Sequence, residues 1–198
     1  MQASQTRHVR VLVVDHSAAD AELVLNELRQ AGMQVSAQRV ESEDALVSSL
    51  HEFLPDVVLT EHTLPELDFR ATLGVVHSIR PATPLLVVVG GWLKADHTGA
   101  CVRAGAETVI SKKNLAPLAA AISSALDARS ALEKLTPRQI EVMRLVARGL
   151  RTRDIAERLK LSVKTVESHR QEVMRRLDLG NMADLVRYAV RVGLVGES

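Results

Sequence analysis

The sequence has few of the residues that stabilise secreted domains or line aromatic pockets. Only one of its 198 residues is a cysteine, Cys101, which excludes an intramolecular disulfide and favours a reducing cytoplasm. Aromatic residues make up 2% of the chain, which disfavours an aromatic-lined ligand pocket. The longest aliphatic runs, VRVLVV and PLLVVV, are far shorter than a membrane span of about 20 residues. The first residues also lack the apolar stretch of a signal peptide, so we expect a cytoplasmic protein with no membrane partner.

Net charge is also small, at +1, but it is unevenly distributed along the chain. Residues 1–132 contain 11 Lys/Arg and 15 Asp/Glu, a net charge of −4. Residues 133–198 contain 14 Lys/Arg and 9 Asp/Glu, a net charge of +5. An acidic first part and a basic second part predict a nucleic-acid partner for the second part.

Apolar runs separated by helical patterns predict an α/β fold for residues 1–128. The continuous runs among them are typical of parallel strands that are covered by helices on both faces. We therefore predict a doubly wound, five-stranded parallel sheet, on which ligands bind at the carboxyl ends of the strands. The runs lie at residues 9–15, 35–40, 56–61, 84–91 and 107–111. The residues at their carboxyl ends are Asp15, His16, Glu61, His62, Val89 and Lys112.

Residues 135–198 have the periodicity of short helices instead. Thr136 is an N-cap candidate, Pro137 follows it, and Gln139 completes a capping box. Ser162 caps a longer basic helix that follows a short turn, which is the arrangement of a helix-turn-helix. The prediction is a small all-α domain of four helices, joined to the first domain by a short charged linker at residues 129–134. The Ala-rich helix that precedes this linker can extend into it.

The first domain carries a specific resemblance. The segments VLVVDHSAADAELV, PDVVLTEHTLPELD, PLLVVVGG and AGAETVISKKN resemble, in register, the receiver domain of two-component response regulators. The resemblance implies two acids that hold Mg²⁺, an acceptor Asp, a hydroxyl residue, a Lys and a switch aromatic. Asp15, Lys112 and Pro65 match the expected positions.

Four positions depart from the receiver pattern. His16 replaces the second acid, Glu61 the acceptor Asp, Val89 the hydroxyl residue and Val109 the aromatic. Mg²⁺ prefers hard oxygen ligands, and phosphoryl transfer needs the acceptor oxygen to be placed accurately. We therefore predict that Glu61 is not phosphorylated and pairs with Lys112.

The second domain closely resembles the LuxR-type helix-turn-helix of NarL/FixJ response regulators. The segments LTPRQIEVMRLVARGL, IAERLKLSVKTVESHR and VMRRL carry this resemblance. It implies double-stranded DNA as partner, a homodimer, and base-facing positions at Glu167, Ser168 and Gln171. The residues expected to contact the DNA backbone are Lys164, Thr165, His169, Arg170 and Arg175.

The function predicted is a sequence-specific transcription regulator whose receiver-like domain works without Asp phosphorylation. We predict no enzymatic activity, cofactor or metal. One alternative is a conventional phosphorylated regulator served by a sensor kinase. Another is a switch by a protein partner, which Trp92 could contact, or by Zn²⁺ or Ni²⁺ held by Asp15, His16, Glu61 and His62. A quorum-type ligand sensor, a self-dephosphorylating receiver and a protein adaptor fit the sequence less well.

Overall fold

The computed structural model describes residues 7–62, 64, 67–91 and 95–195, without the side chains of residues 95 and 96. Pro65 and Trp92 lie outside these described residues. The chain divides into two compact units, Met1–Leu126 and Asp127–Ser198. No helix in the described ranges has the length and apolar character needed to cross a membrane.

The first unit is built on a five-stranded parallel sheet. The strands are β1 (His8–Val14), β2 (Gln34–Val40), β3 (Val57–Thr60), β4 (Leu85–Val89) and β5 (Val109–Ser111). Their order in the sheet is β2-β1-β3-β4-β5. The register places Val11 of β1 opposite Val57 of β3 and Val58 of β3 opposite Leu85 of β4. This is a doubly wound arrangement, so the predicted fold class is confirmed.

Helices cover both faces of this sheet. They are α1 (Ala18–Gln30), α2 (Glu43–Glu52), α3 (Phe69–Ile79), α4 (Ala95–Ala104) and α5 (Leu118–Glu133). Alternate residues of each strand pack against opposite layers. Val11 and Val13 share a core with α1 and α5, whereas Leu12 and Val14 share a core with α2, α3 and α4. Because both faces are covered, the central strands β3 and β4 are buried throughout, whereas the edge strand β2 carries polar residues and is largely exposed.

The second unit is a bundle of short helices with its own aliphatic core. The helices are α6 (Pro137–Ala147), α7 (Thr152–Leu159), α8 (Val163–Arg176) and α9 (Met182–Arg191). The capping box predicted at Thr136 and Gln139 is present, and Gly149 ends the first helix of the bundle with φ +81°. The fully buried residues of this unit include Val142, Met143, Ile155, Val166, Val173 and Leu185.

Residues 129–134, the predicted linker into which the Ala-rich helix could extend, are mostly helical, because α5 ends at Glu133. The physical reason is burial, because Ala128 and Leu132 lie in the core of the second unit. The Tyr188 hydroxyl also donates a hydrogen bond to the carbonyl of Ala128. These contacts stabilise a helix where the charge pattern alone indicated a connecting segment.

Candidate nucleic-acid interface and carboxylate cluster

The carboxyl edge of the sheet brings a single lysine among three carboxylates. Asp15 follows β1, Glu61 follows β3 and Lys112 follows β5, so the parallel topology brings the three residues together. Lys112 Nζ lies 2.8 Å from Asp15 Oδ2 and 3.3 Å from Glu61 Oε2. It also lies 2.7 Å from Oδ2 of Asp20, in the first turn of α1. Asp15, Asp20, Glu61 and Lys112 are called the carboxylate cluster below.

Two opposing effects set the pKa of Lys112. Burial disfavours the charged ammonium and by itself lowers the pKa. Hydrogen bonds from Nζ to Asp15 and Asp20, together with the negative charges of Asp15 and Glu61, outweigh burial and raise the pKa of Lys112 above its ordinary value. The lysine is therefore charged at neutral pH and compensates the buried carboxylate of Asp15, which is 2% exposed.

Asp20 is a member of the cluster that the sequence reasoning did not identify. Its backbone N–H is bonded to the Oγ of Ser17, the N-cap of α1, and the Ser17 N–H is bonded to Asp15 Oδ1 at 2.8 Å. These bonds fix the turn between β1 and α1 and direct Asp20 toward Lys112. The available signal was an acid five residues after Asp15, in the first turn of α1, but its partner lies 92 residues away.

Glu61 pairs with Lys112 at the distance given above, as expected. Its Oε2 atom is buried and accepts no hydrogen bond within the described ranges, so the pair rests on charge proximity. Gly90 closes the other side, where an added Cβ would lie 3.6 Å from Glu61 Oε1 and 3.8 Å from Lys112 Cδ. The acceptor-equivalent carboxylate therefore lies in a narrow, largely enclosed position.

The same edge could offer ligands to a metal ion. Asp15, His16 and Glu61 bring possible ligand atoms within 4.8 Å of one another. His16 Nδ1 lies 3.7 Å from Asp15 Oδ1 and 3.6 Å from Glu61 Oε2. His62 is not part of this group, and its ring stacks on Phe69 with centroids 6.3 Å apart.

The Mg²⁺ ion of receiver domains fits these residues poorly. Mg²⁺ needs near-octahedral oxygen ligands, and an imidazole stands where the second acid is expected. The ammonium of Lys112 also lies beside the carboxylate oxygens that would hold the ion. No step of a mechanism is therefore assigned to Mg²⁺.

Val89 and Val109 occupy the positions where a receiver has a hydroxyl and an aromatic ring. Val89 ends β4 and is buried, and Val109 begins β5 and packs partly buried against the same core. A valine side chain cannot hydrogen-bond a phosphoryl group and has no ring to change rotamer. These two positions therefore contribute packing rather than polar contacts.

The second candidate site is the outward face of α8. Ser162 caps this helix by accepting a hydrogen bond from the Thr165 N–H at 3.0 Å. Val166 and Val173 are fully buried, so the residues between them on the opposite side face solvent. Glu167, Ser168 and Gln171, the residues expected to face DNA bases, are all exposed.

The side chains expected to contact the DNA backbone fall into two groups. Lys164 is exposed, the Thr165 hydroxyl lies 2.7 Å from Ser162 Oγ, and His169 is half-buried. Arg170 and Arg175 already have partners within the chain. Arg170 Nη1 donates to Thr152 Oγ1 at 2.7 Å.

Arg175 forms a bidentate ion pair with Glu172 at 2.8 Å and 2.7 Å. Hydrogen bonds from Arg175 and Arg176 lower the pKa of Glu172 to about 2. Arg175 is therefore neutralised locally, which its sequence spacing of three residues from Glu172 could have indicated.

Comparison with known proteins gives consistent results for both units. Residues 133–189 match the GerE family, described as bacterial regulatory proteins of the luxR family. The tetrathionate response regulatory protein TtrR of Salmonella typhimurium is 34% identical over 144 residues, which are 66% of this chain and 68% of TtrR. The DNA-binding transcriptional activator EvgA of Escherichia coli is 26% identical over 202 residues, covering 91% of this chain and 97% of EvgA.

A solved structure supports the same fold. The structure of two RcsB dimers bound to two parallel DNAs aligns with a TM-score of 0.52 and 22% sequence identity. The alignment covers 92% of this chain and 98% of the RcsB chain. At this identity the likeness supports the architecture of the two units and no more.

Proposed function

The chain belongs to the NarL/FixJ family of response regulators, and we propose that its receiver-like unit acts without phosphorylation of an aspartate. It is a DNA-binding transcription regulator of the two-component type, and its relatives are regulators rather than enzymes. The observation that carries the proposal is the carboxylate cluster. There Lys112 pairs with a glutamate at the acceptor position while Val89 offers no hydroxyl.

Chemistry supports this proposal at each step of phosphoryl transfer. Glu61 has one methylene more than Asp, and a misplacement of about 1 Å can reduce a rate roughly 100-fold. His16 removes one hard, anionic oxygen ligand from the expected metal site. An acyl phosphate on Glu61 would also have no hydroxyl from residue 89 as a hydrogen-bond partner.

Acetyl phosphate treatment tests the proposal. Incubating the full chain with acetyl phosphate and Mg²⁺ should change neither its intact mass nor its affinity for DNA. Glu61→Asp alone should also remain unmodified, because residue 16 still lacks a carboxylate. The informative comparison is the double variant Glu61→Asp/His16→Asp, which restores both acids. A gain of one phosphate by the wild-type chain, abolished in Glu61→Ala, would restore the conventional phosphorylated regulator.

We also propose that α8 reads bases in the DNA major groove. Gln171 can form two hydrogen bonds with adenine, Glu167 can accept one from cytosine, and Ser168 can contact either. Lys164, Thr165, His169 and Arg170 are assigned to phosphate or sugar. Arg175 would reach a phosphate only by leaving Glu172. The charge of this unit and the exposure of the three base-facing residues support the assignment.

Affinities for an operator and for random DNA distinguish the two kinds of contact. Gln171→Ala should weaken operator binding by about 1–3 kcal/mol and affect random DNA less. Lys164→Ala, a matched exposed position, should weaken both equally. If Gln171→Ala reduced both affinities by the same factor, the base assignment would be wrong.

A symmetric dimer on DNA is the proposed working form. Helix-turn-helix regulators commonly bind two half-sites related by two-fold symmetry, and RcsB is described as dimers bound to DNA. The footprint should therefore be pseudo-palindromic, with half-sites about one helical turn apart.

A sensor kinase or another regulatory protein is the proposed partner of the receiver-like unit, and the cytoplasm is the proposed location.

Metal control is the second candidate, because Asp15, His16 and Glu61 lie close enough to share an ion. A nitrogen and two carboxylates suit Zn²⁺ or Ni²⁺ better than Mg²⁺. Calorimetric titration of the full chain with each ion tests it. His16→Ala should abolish a specific binding isotherm if one exists, whereas an absent isotherm would remove this candidate.

A further inference from the structure

The positive charge of the second unit lies in one stretch of sequence. Residues 144–170 contain eight Lys/Arg and three Asp/Glu, a net charge of +5. Residues 133–143 contain two of each kind, and residues 171–198 contain four of each kind. The whole excess of positive charge therefore lies between the last turn of α6 and the middle of α8.

Arginines inside and outside this charged stretch also differ in whether they form ion pairs. Arg138, Arg175 and Arg187, outside the charged stretch, are paired with Glu141, Glu172 and Asp184. The turn from α6 to α7 carries three exposed arginines, Arg148, Arg151 and Arg153, called the corner arginines below. Within the described part of the chain, none of these three side chains forms an ion pair with an acid.

Acidic groups near this turn do not neutralise the corner arginines. Asp154 Oδ2 accepts a hydrogen bond from the Arg151 backbone N–H at 3.3 Å, which caps α7 and leaves the guanidinium groups exposed. The other nearby acid, Glu157, is exposed one helical turn further along α7. Counting both acids, residues 144–160 retain a net positive charge.

A hydrogen bond places the corner arginines beside the base-facing surface. Thr152 begins α7 between Arg151 and Arg153, and its hydroxyl accepts the bond from Arg170 of α8 described above. Arg170 immediately precedes Gln171, so the start of α7 is held against the part of α8 that is proposed to enter the groove. Arg148 is only three residues away from Arg151, which the chain can span in about 10 Å.

We propose that the corner arginines bind phosphates of the DNA strand that flanks the groove entered by α8. A planar guanidinium pairs with phosphate oxygens in a bidentate manner, and such contacts fix register without reading sequence. The inference rests on the proposed DNA reading by α8 and extends that interface to the α6–α7 turn. The corner arginines then supply most of the salt dependence of binding, and Arg175 supplies little.

The test compares two double variants of the full chain that remove the same charge. Arg151→Gln/Arg153→Gln removes two corner arginines, and the control Arg129→Gln/Arg187→Gln removes two arginines that are paired with Glu133 and Asp184. The slope of log affinity against log salt should fall by about 0.9 for each lost phosphate contact. A dimer on DNA loses two such contacts in each protomer, so we expect a fall of about 3.6 for the corner variant and an unchanged slope for the control.

Further measurements keep each outcome interpretable. Arg151→Lys/Arg153→Lys should retain most of the slope, because the charge persists, and a thermal melt should show that every variant folds. Equal slopes for the corner variant and the control, with wild-type binding intact, would overturn this inference alone. A wild-type chain without salt-dependent DNA binding would overturn the proposed DNA reading as well. Unchanged DNA affinity with lost transcription would overturn the inference by assigning the corner arginines to an acidic protein partner instead.

Discussion

At the scale of single residues, Lys112 lies beside three carboxylates of the first unit. It compensates the 2%-exposed carboxylate of Asp15 and also bonds Asp20. Removing one partner of a buried ion pair is costly because the other charge stays buried and uncompensated. Its three carboxylate neighbours therefore tie Lys112 to the stability of the first unit.

We predict that Lys112→Met lowers the free energy of unfolding by about 3–5 kcal/mol. The neighbouring exposed residue offers a matched control, since Lys113→Met should change stability by less than about 0.5 kcal/mol. Urea denaturation of both variants measures the difference. Equal stability of the two variants would show that Asp15 does not depend on Lys112.

The same lysine predicts a dependence of stability on pH. Because the pKa of Lys112 is raised in the folded state, its contribution is fully present below the unfolded value of 10.5. That contribution is lost as the pH rises through the higher folded-state pKa. The unfolding free energy of the wild type should therefore fall as the pH is raised above about 10.5. The fall should be smaller for Lys112→Met, which has no group to titrate there.

At the scale of elements, two glycines differ in backbone conformation, because one follows the end of a helix and the other lies inside a helix. Gly149 ends α6 with φ +81°, a left-handed conformation that side chains rarely adopt. Gly74 lies within α3 and is exposed, and an added Cβ would meet no atom within 4 Å. Space is open at both positions, so backbone conformation alone decides the effect of a substitution.

We predict opposite signs for the two alanine substitutions. Gly149→Ala should lower stability by about 1–2 kcal/mol, because alanine is strained at positive φ. Gly74→Ala should raise stability by about 0.5–1 kcal/mol, because alanine restricts the unfolded chain and favours helix. Thermal denaturation monitored by circular dichroism measures both. Destabilisation by Gly74→Ala would contradict this prediction, because an added Cβ at this position has no atom within 4 Å to clash with.

Much of the fold and part of the candidate site could be predicted from the sequence, because apolar strand runs, helix caps and the inward valines of α8 are local patterns. Val166 and Val173 are buried as helical spacing requires, and Glu61 meets Lys112 because parallel strands end at one edge. Asp20 was missed because the sheet topology, not the local sequence, brings it to Lys112. The Ala-rich pattern indicated that a helix can extend into the linker, but the burial of Leu132 could not be predicted because it depends on a partner surface far along the chain.

At the scale of the whole molecule, the boundary between the units falls inside α5. Ile122 and Leu126 belong to the core of the first unit, whereas Ala128 and Leu132 belong to that of the second. The predicted domain of residues 135–198 therefore lacks part of its own core. A helix-turn-helix fragment needs the end of α5 to bury the same apolar surface.

We predict that a fragment of residues 127–198 is more stable than one of residues 135–198 by at least about 2 kcal/mol. Loss of a buried leucine costs about 2–5 kcal/mol, and the shorter fragment also lacks the carbonyl that accepts the Tyr188 hydroxyl. The variant Leu132→Ala in the longer fragment serves as a control and should reproduce part of the loss. Equal melting temperatures for the two fragments would contradict this account.

The sheet register also has a consequence for the order of folding. Val11 of β1 pairs with Val57 of β3, so a central contact of the first unit joins two strands that are distant in sequence. Long loops must close before such parallel strands can pair, and chains rich in distant contacts fold slowly. In the second unit α7 packs against α6 and α8, its neighbours along the chain, although α6 also packs against the more distant α9. After dilution from denaturant, the DNA-binding helices should therefore form their bundle first, while the sheet completes its pairing in a slower phase.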